Sequence, residues 1–541
     1  MEFALKIQGH QIDFDLPERS ADRDKIRLGI LADNFSTQAE IFATLPVYKH
    51  LNRDEFEIIL YFINASGHRF EKCCLGYTDV AVKLPQNLNV QVETIRKWEL
   101  DILFFANNIT AQTNTIAELA LHRLAPIQVV GMNSPVTTGM QHIDYYISSK
   151  LTETELENDT HNHYRENLLK LDVPAQCFDF ATEEQLIKTI SFQRETIGIP
   201  QNAVVYISGA NFFKILPEVE ETWIKIIAAV PDAVLVLYPF NPNWAPIYPI
   251  TAFKQRLVAT LAKYGLDADR LILLDAVPNR TDVKERLKVA DIYLDSYPYA
   301  GMTSLIDPLE IGLPTVVMSG DYARSNMGAS LLRELQMPDL IADTEESYID
   351  LAIALGTNPD LRKQKSTYIK QKMQANPAFL DSRFYSDKIG SLFKEIFYKH
   401  QVDCLRDKLN LREINLIIFP DWSQPEELLL EQLAVVIKAT AIHQDKSKIT
   451  LLVNHSNISE EDANLALSSV AMNLLMEEDL DVSEGPEISL IGQLSEIQWS
   501  ALLPELHCRI VLDNENKNAI AQAKAEKIPI CEINNFKNLE L

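Results

Sequence analysis

The segment 291–307, DIYLDSYPYAGMTSLID, has the residue types of an anion-binding helix start. A strand pattern ends at Asp295, and a helix pattern opens at Thr303 and Ser304, which are good helix caps. The free N–H groups of a helix start attract anions, and ligands bind at the carboxyl edge of a parallel sheet. Asp307, one turn further on, could accept hydrogen bonds from sugar hydroxyls. An ordinary capped helix with an Asp in its first turn explains the same residues equally well.

A lone lysine closes the segment 208–214, SGANFFK, which follows another strand pattern. A lysine is a compact positive charge, so Lys214 at the carboxyl end of a strand suits a diphosphate. The alternative is a surface lysine, which is the commonest environment of this residue. This second segment strengthens the prediction of a phosphate-bearing ligand that the first segment raises.

Polar residues also lie at and after the strand pattern 126–130. They are Gln128, Asn133, Thr137 and Thr138. We expect them to face a cleft between two domains and to contact a sugar or an acceptor. Hydrogen bonds that merely stabilise a loop are an equally good explanation of such residues.

Two groups of near-continuous apolar strands alternate with helices and position these residues. The first group has strands at 27–33, 56–63, 100–105 and 126–130, with helices at 45–51 and 115–124. The second has strands at 203–208, 233–238, 271–274, 292–294 and 315–318, with helices at 217–230, 251–264, 281–289 and 303–311. Such runs are typical of parallel sheets covered on both faces. They predict an α/β protein with two doubly wound units.

The remaining segments complete a four-part organisation of the 541 residues. A lead-in at 1–26 precedes the first unit at 27–190, whose polar stretch 151–188 suits an interdomain connection. The second unit, 191–400, ends in an aromatic-rich segment, 376–398, predicted to be a helix that packs back across both units. An acidic α/β extension at 405–541 follows. Its predicted strands are 414–419, 449–453, 487–491 and 510–512, and its predicted helix is 426–439; we find no catalytic cluster in it.

Charge and cysteine usage exclude several classes of partner and environment. Fifty basic against 76 acidic residues give a net charge of −26, which disfavours nucleic acid and anionic membrane surfaces as partners. No apolar run reaches the roughly 18 residues that a membrane helix needs. Six cysteines without a CxxC pair do not form a disulfide framework and indicate a reducing, cytosolic compartment.

Familiar cofactor and metal motifs do not occur in the sequence. No GxGxxG follows a strand pattern and no P-loop is present, which argues against dinucleotide dehydrogenases and P-loop ATPases. His161 and His163 lie in a polar stretch without Cys or His partners, so we interpret them as solvated loop residues rather than metal ligands. We predict no metal site and no cofactor besides a donor substrate.

Three ordered blocks give a resemblance to a known family. The first runs from LAPIQ at 124–128 through PVTTG at 135–139 to IDY at 143–145; the second is NFFK at 211–214. The third runs from AD at 290–291 through TS at 303–304 to GLP at 312–314. Over residues 27–400 the chain resembles the O-GlcNAc transferase and SPINDLY glycosyltransferases, which share the GT-B fold with bacterial cytosolic N-glycosyltransferases. The resemblance implies two Rossmann-like units facing a cleft.

The resemblance also implies an activity. The family transfers a sugar, with inversion and without a metal, from a nucleotide sugar to a protein side chain. For this chain it implies a UDP-sugar donor, UDP-N-acetylglucosamine first and UDP-glucose second. The implied acceptor is a Ser, Thr or Asn side chain of a protein or peptide.

Donor-site residues follow from the resemblance position by position. Lys214 matches the lysine that contacts the diphosphate and stabilises the leaving group, and Asn211 matches an amide in the same pocket. The pair at 303–304 matches residues that hold the diphosphate. Asp307 matches the carboxylate that binds the ribose, and Val277 lies in the turn 276–278 whose backbone reads the nucleobase.

The sequence departs from the family on the acceptor side. Gln38 and Asp101 stand where O-GlcNAc transferases have two histidines, and Met302 and Asp282 replace two more near the donor. Asp101 could serve as a base, or it could be a structural Asp beside its strand. The tetratricopeptide array of eukaryotic members is absent. These departures leave two other functions open, a nucleotide-sugar-binding scaffold or sensor and a glycan-building transferase.

The acidic segment 405–541 resembles an extension of some bacterial SPINDLY-like proteins. The resemblance implies no role for it. It could be a docking domain for a protein partner or a degenerate transferase half.

Overall fold

Three sheets organise the described part of the chain, residues 1–20, 23–153, 163–185, 187–238 and 250–533 of this computed structural model. By internal contacts the chain divides into two units, residues 1–16 with 27–390 and residues 17–26 with 391–541. The first unit holds two sheets and the second holds one. The predicted α/β class of doubly wound units is confirmed.

The first sheet comprises β1 (Ile26–Ala32), β2 (Phe56–Phe62), β3 (Val80–Lys83), β4 (Ile102–Phe105), β5 (Ile127–Gly131), β6 (Tyr145–Ser149) and β7 (Asn167–Leu171). The strands lie in the order β3-β2-β1-β4-β5-β6-β7, with parallel pairing such as Leu28 opposite Ile102. Its helices are α1 (Glu2–Ile7), α2 (Ala39–Tyr48), α3 (Arg69–Leu75), α4 (Leu88–Arg96) and α5 (Thr115–Ala120). All residues of β4 are buried, as expected for a central strand covered on both faces.

Two expectations for this half are wrong in detail. The stretch 151–188 is not only a connection, because β7 lies within it and adds an edge strand to the first sheet. An edge strand can carry polar residues such as Asn167 and Lys170. The helix predicted at 45–51 begins earlier, as α2, because Pro46 lies inside the helix rather than in its first turn, where proline is usually tolerated.

The second sheet comprises β8 (Val205–Ser208), β9 (Val234–Leu237), β10 (Leu271–Leu273), β11 (Ile292–Leu294), β12 (Thr315–Met318) and β13 (Ile341–Ala342). The order is β10-β9-β8-β11-β12-β13, and its strands pair in parallel. Its helices are α6 (Pro217–Ala229), α7 (Ile250–Lys263), α8 (Arg280–Leu287), α9 (Thr303–Ile311), α10 (Met327–Glu334), α11 (Glu345–Thr357) and α12 (Pro359–Gln374). The five strands predicted for this half are all present.

The predicted closing helix is α13 (Ser382–Lys408), which begins and ends later than 376–398. Its start contacts the first half of the first unit. The Tyr385 hydroxyl donates to the Ala175 carbonyl at 2.7 Å, and Ser386 Oγ accepts from the His50 N–H at 3.3 Å. The chain thus returns from the second sheet to the first, as the aromatic-rich segment predicted.

Each of these two sheets has a point where the strand order reverses. It lies between β1 and β4 in the first sheet and between β8 and β11 in the second. Loops that leave two such strands diverge to opposite faces, so a crevice opens at the carboxyl edge between them. Predicted site residues that lie at one of these two crevices are in position to contact a ligand, and those at the opposite edge of a sheet are not.

The third sheet, in the second unit, comprises β14 (Ile414–Ile418), β15 (Ile449–Asn454), β16 (Glu487–Ile491), β17 (Cys508–Ile510) and β18 (Ile530–Cys531). The order is β16-β15-β14-β17-β18 and the pairing is parallel. Helices α14 (Glu426–Ala441) and α15 (Glu460–Glu478) contribute to one core layer, and α16 (Glu496–Leu502) and α17 (Lys517–Ala523) to another. The sequence predicted β14, β15, β16 and α14, placed the fourth strand too late at 510–512, and missed β18 and the other three helices.

The described residues contain neither a spanning helix nor a disulfide bond. No helix among them is long and apolar enough to cross a membrane. All six cysteines are free thiols, including the adjacent Cys73 and Cys74. Adjacent cysteines rarely bridge each other because a disulfide needs a specific separation of the two Cα atoms.

Candidate active site

Lys214 lies at the crevice of the second sheet, in a short 3-10 turn that follows β8. Its Nζ donates to the Ala300 carbonyl at 2.7 Å and lies 4.0 Å from the centroid of the Tyr299 ring. Burial lowers the pKa of Lys214, and the nearby charge of Asp295 opposes that shift. An anion placed in this crevice would favour the charged amine in the same way.

Asn211 supports the turn that carries Lys214. Its Oδ1 accepts a hydrogen bond from the Phe213 N–H at 3.1 Å, which caps the turn. The side chain therefore orients the backbone beneath the lysine. This is a structural role beside the donor-binding role that the resemblance implied.

Asp295 is a buried residue at the end of β11 for which the sequence had suggested no role. Its Oδ1 accepts from the N–H groups of Ser296 and Gly301, both at 2.9 Å. Burial raises the pKa of this carboxyl, whereas the Lys214 charge and the two amides lower it. A Cβ on Gly301 would lie 2.7 Å from Oδ1 and 2.5 Å from Ser304 Oγ, so glycine lets the loop 296–301 approach α9 closely.

Helix α9 starts beside Lys214, on the other side of the same crevice. Thr303 and Ser304 are its first two residues rather than the helix caps that the sequence predicted, because Met302 takes the cap position, and no side chain caps the amino end. The positive end of the helix dipole and its amide groups therefore point toward the carboxyl edge of the sheet. This geometry brings Lys214, Thr303 and Ser304 together around one position suited to a diphosphate.

Asp307 lies one turn into α9 and is engaged by a residue that sequence reasoning missed. Its Oδ1 lies 2.6 Å from Nε of Arg280, whose guanidinium also pairs with Glu310 and lies 3.4 Å from the centroid of the Phe180 ring. Burial raises the pKa of Asp307 to about 6, and the Arg280 charge opposes this shift. The predicted site residue Val277 lies shortly before Arg280, in the segment between β10 and α8, and is half-buried.

Gln38 and the carboxylate of Glu40 lie at the crevice of the first sheet. Gln38 is the residue immediately before α2, and its Nε2 donates to Ser36 Oγ at 2.8 Å. Glu40, in the first turn of α2, accepts from Asn107 Nδ2 at 2.7 Å. Burial raises the pKa of Glu40, and its charge in turn helps to raise the pKa of Tyr299 in the second half. Glu40 and Lys214 therefore approach Tyr299 from different halves of the unit.

Comparison with known proteins shows which proteins this chain resembles. Residues 175–389 match the family described as Glycosyl transferase family 41. Two curated relatives are probable UDP-N-acetylglucosamine–peptide N-acetylglucosaminyltransferases SPINDLY. The one from Hordeum vulgare is 26% identical over 456 residues, which cover 82% of this chain and 46% of the relative. The one from Oryza sativa subsp. japonica is 28% identical over 420 residues, covering 76% and 43%.

A solved structure supports the fold. A mutant of the O-GlcNAc transferase of Thermobaculum terrenum matches with a TM-score of 0.59 at 21% identity, covering 70% of this chain and 69% of that chain. The chain is similar to the SPINDLY and O-GlcNAc transferase glycosyltransferases, which confirms the resemblance found in the sequence. The GT-B fold that this family implies is confirmed. The chain spans less than half the length of the two curated relatives.

Within this GT-B fold, two of the predicted site residues lie at the wrong edge of the first sheet. Asp101 immediately precedes β4, and its carboxylate accepts from the Arg27 N–H at 2.8 Å. Gln128, near the start of β5, accepts from the Leu124 N–H at 2.6 Å and donates to the His142 carbonyl at 2.8 Å. Both are buried at the amino edge, whereas the crevice lies at the carboxyl edge. The structure corrects the expectations of a catalytic Asp101 and a sugar-binding Gln128.

The other polar residues of the first half hold loops. Asn133 Nδ2 donates to the Ala106 carbonyl at 2.6 Å, and its Oδ1 accepts from Gln176 at the same distance. Thr137 Oγ1 and the Thr138 N–H each donate to the buried carboxylate of Glu166 at 2.7 Å. These contacts agree with the loop-stabilising alternative, and a direct sugar contact by any of the three stays a prediction.

Three further residues named in the sequence analysis are His161, His163 and Asp282. His161 lies outside the described residues, and the neighbouring His163 is exposed. The described residues include no group of three His, Cys, Asp or Glu that could hold a metal ion. Asp282 is buried in α8 and accepts from the N–H and hydroxyl of Thr189, which ties the chain before the second sheet to that helix.

Proposed function

We propose that this protein is an inverting, metal-independent glycosyltransferase that moves a sugar from a UDP-sugar to a side chain of a protein or peptide. The observation that carries the proposal is the meeting of Lys214 with the uncapped start of α9, at the strand reversal of the second sheet. UDP-N-acetylglucosamine is the first candidate donor, since the names of both curated relatives specify it, and UDP-glucose is the second. The acceptor is a Ser, Thr or Asn side chain.

The donor side supplies stabilisation of the leaving group. As the bond from the anomeric carbon to the diphosphate breaks, negative charge grows on the phosphate oxygens. The Lys214 amine and the amides at the start of α9 are fixed donors for that charge, and such preorganised groups lower a barrier strongly. The pKa of Lys214, lowered by burial, rises when the diphosphate binds, so the amine is charged when the bond breaks.

The acceptor side needs a group that takes a proton. In an inverting transfer the acceptor atom attacks the anomeric carbon from the face opposite the diphosphate and loses its proton. Glu40 supplies a carboxylate at the crevice of the first sheet, and Asn107 holds that carboxylate in place. We assign Glu40 as the general base in place of Asp101, because only Glu40 lies at the carboxyl edge.

The nucleoside is bound by the segment after β10 and by α9. Asp307 accepts hydrogen bonds from the ribose, and the backbone around Val277 contacts the base. The ion pair of Asp307 with Arg280 also favours a second candidate, a scaffold or sensor that binds the donor without transfer. A carboxylate already held by a guanidinium has fewer lone pairs left for ribose hydroxyls.

Calorimetric titration tests the proposal and separates these candidates. The panel is UDP, GDP, UDP-N-acetylglucosamine, UDP-glucose and GDP-fucose, added to wild type, Lys214→Ala and Asp307→Ala. We expect uridine nucleotides to bind the wild-type protein, and we expect both substitutions to lower that affinity. Lys363→Ala, on the exposed surface of α12, is the matched control and leaves binding unchanged.

Transfer is then measured with labelled donor and lysate proteins. Lys214→Ala with its fold intact is expected to lose turnover. Full activity of that variant contradicts the mechanism, and binding without any transfer by wild type favours the scaffold. Transfer to glycans alone favours a glycan-building enzyme. We place the activity in the cytoplasm, for which the six free thiols are support.

A further inference from the structure

Helix α15 in the second unit has a composition that its observed packing does not explain. Residues 463–476, ANLALSSVAMNLLM, carry no charged side chain over nearly four turns. A helix with large apolar residues on more than one side is expected to be covered on each of those sides. In α15 the buried residues are Ala463, Leu467, Val470 and Leu474, which recur at helical spacing and form a single face.

The opposite side of α15 is exposed and carries several large apolar residues among Ser and Asn side chains. Leu465 is 69% exposed, Met472 58% and Met476 77%, and their spacing of seven and four residues places them on one side of the helix. Leu475 is exposed beside them. We call these four residues the α15 face. Exposed apolar surface of this kind marks interaction sites, and methionines adapt to partners of varied shape.

The neighbouring helix α14 also carries exposed apolar residues. Leu428, Val435 and Ile442 are exposed at intervals of seven residues, along α14 and at its carboxyl end. Helices α14 and α15 contribute to the same core layer of the third sheet. A linear apolar stripe on each of two helices in one layer matches one side of a partner helix rather than a small molecule.

Both ends of the α15 face are acidic. Glu460, Glu461 and Asp462 lie in the first turn, where negative charge suits the helix dipole. The run 477–479 (Glu, Glu, Asp) lies at the carboxyl end, where negative charge opposes the dipole. No Lys or Arg occurs from residue 449 to residue 508. Glu478 pairs with Lys438 in the last turn of α14, and Glu477 and Asp479 leave further negative charge at this end of α15 that a positively charged partner would balance.

We propose that the α15 face binds a basic amphipathic helix of another protein. The apolar side of that helix lies on Leu465, Met472 and Met476, which span about 16 Å along α15. Its Lys and Arg residues pair with Glu460 and Glu461 at one end of α15 and with Glu477 and Asp479 at the other. A second copy of this chain is a poorer occupant, because it would bring acidic ends against acidic ends.

Contacts between its flanking loops bridge the crevice of the third sheet. Its strand order reverses between β14 and β17, and the loops after these two strands are bridged there by Pro420 and Glu515. Arg509 makes a two-pronged ion pair with Glu515, with both oxygens at 2.7 Å.

Fluorescence anisotropy with the full chain tests the proposal. The probe is a labelled helical peptide of leucine and lysine, with the leucines on one side, and the comparison probe has glutamate in place of lysine. We expect the basic peptide to bind with a Kd below about 100 µM and the acidic peptide not to bind. The double substitution Met472→Asn, Met476→Asn should lower the affinity for the basic peptide about tenfold or more. Glu477→Lys should lower that affinity severalfold.

A matched control and the oligomeric state complete the experiment. Ile530→Asn changes an exposed apolar residue elsewhere in the same unit and should leave the affinity unchanged. Unchanged circular dichroism of all variants excludes unfolding as the cause. Three results would each overturn the proposal: no binding of the basic peptide, equal loss in Ile530→Asn, or a dimer in sedimentation that the methionine substitutions dissociate.

Discussion

The amine of Lys214 lies 4.0 Å from the centroid of the Tyr299 ring, while the same amine donates to the Ala300 carbonyl. The tyrosine ring and the carbonyl thus fix the position of a buried cation without neutralising it. The Tyr299 ring is also close enough to Glu40 for the carboxylate to influence its pKa. One aromatic residue therefore contacts the proposed leaving-group stabiliser and faces the proposed base.

Removing the Tyr299 ring should release Lys214. A buried cation–π contact is worth about 2 kcal/mol, so Tyr299→Leu should lower kcat by roughly tenfold or more. Tyr299→Phe keeps the ring face and should stay within about twofold of wild type. Steady-state transfer with saturating donor measures both variants. Equal losses in the two would mean that the hydroxyl, and not the ring, matters.

Replacing Glu40 should remove the base and leave the donor site intact. Glu40→Gln is isosteric and should lower transfer by about 10²–10⁴, with donor affinity unchanged in calorimetry. Because burial raises the pKa of Glu40, wild-type kcat/KM should fall with decreasing pH at a midpoint above the ordinary glutamate value. That acidic limb should vanish in the residual activity of Glu40→Gln.

Asp101→Asn is the matched comparison for Glu40. It changes a carboxylate to an amide at the amino edge of the same sheet, where it contacts Arg27. We expect kcat and the pH profile of Asp101→Asn to match those of wild type at temperatures where it remains folded. A loss of kcat as large as that of Glu40→Gln would restore Asp101 as the base.

The ionisation of Asp307 should make both nucleotide binding and stability depend on pH. Its pKa of about 6 reflects burial and the Glu310 charge, which raise it, against Arg280 and Lys284, which lower it. Because this value lies above that of the unfolded chain, the native carboxyl holds its proton more tightly. The stability that it contributes is therefore fully present at low pH and lost as pH rises through about 6.

Uridine nucleotide affinity should change in the opposite direction if the carboxylate binds the ribose. It should fall as pH decreases through about 6, and Asp307→Asn should abolish both dependences. Calorimetry and urea unfolding between pH 5 and pH 8 measure them, with Asp360→Asn on α12 as an exposed control. An affinity that follows pH identically in wild type and Asp307→Asn would remove this residue from the nucleoside site.

Apolar periodicity was enough to predict the strands that flank both crevices, because buried parallel strands are continuous hydrophobic runs. It could not give the start of α2, since Pro46 lies in the helix and the surrounding fold overrides its local preference. That error also hid Glu40, which fell in the presumed loop before the helix. The residue becomes visible as a candidate only when α2 is known to start at the strand reversal.

The proposed donor residues were easier to locate from the sequence than the proposed acceptor residues, for a similar reason. Lys214 and Asp307 lie within a few residues of β8 and α9, so the sequence alone places them at a carboxyl edge. Asp101 and Gln128 also lie beside strands, but at the edge where the strands begin. A polar residue near a strand therefore indicates a ligand site only when the direction of the strand is considered. Partners from distant segments, such as Arg280 for Asp307, have no local signal.

The role of Gln128 can be tested through stability rather than activity. Its side chain accepts from two backbone N–H groups and donates to the His142 carbonyl, all in a buried position. Gln128→Ala leaves these groups without partners, which should lower the free energy of unfolding by about 2–3 kcal/mol. Urea unfolding measures the loss, and uridine nucleotide affinity should be unchanged at a temperature where the variant is folded.

Gln193→Ala, on the exposed segment before the second sheet, is the control and should stay within about 0.5 kcal/mol of wild type. A Gln128→Ala variant with native stability but weakened donor affinity would return Gln128 to the sugar site.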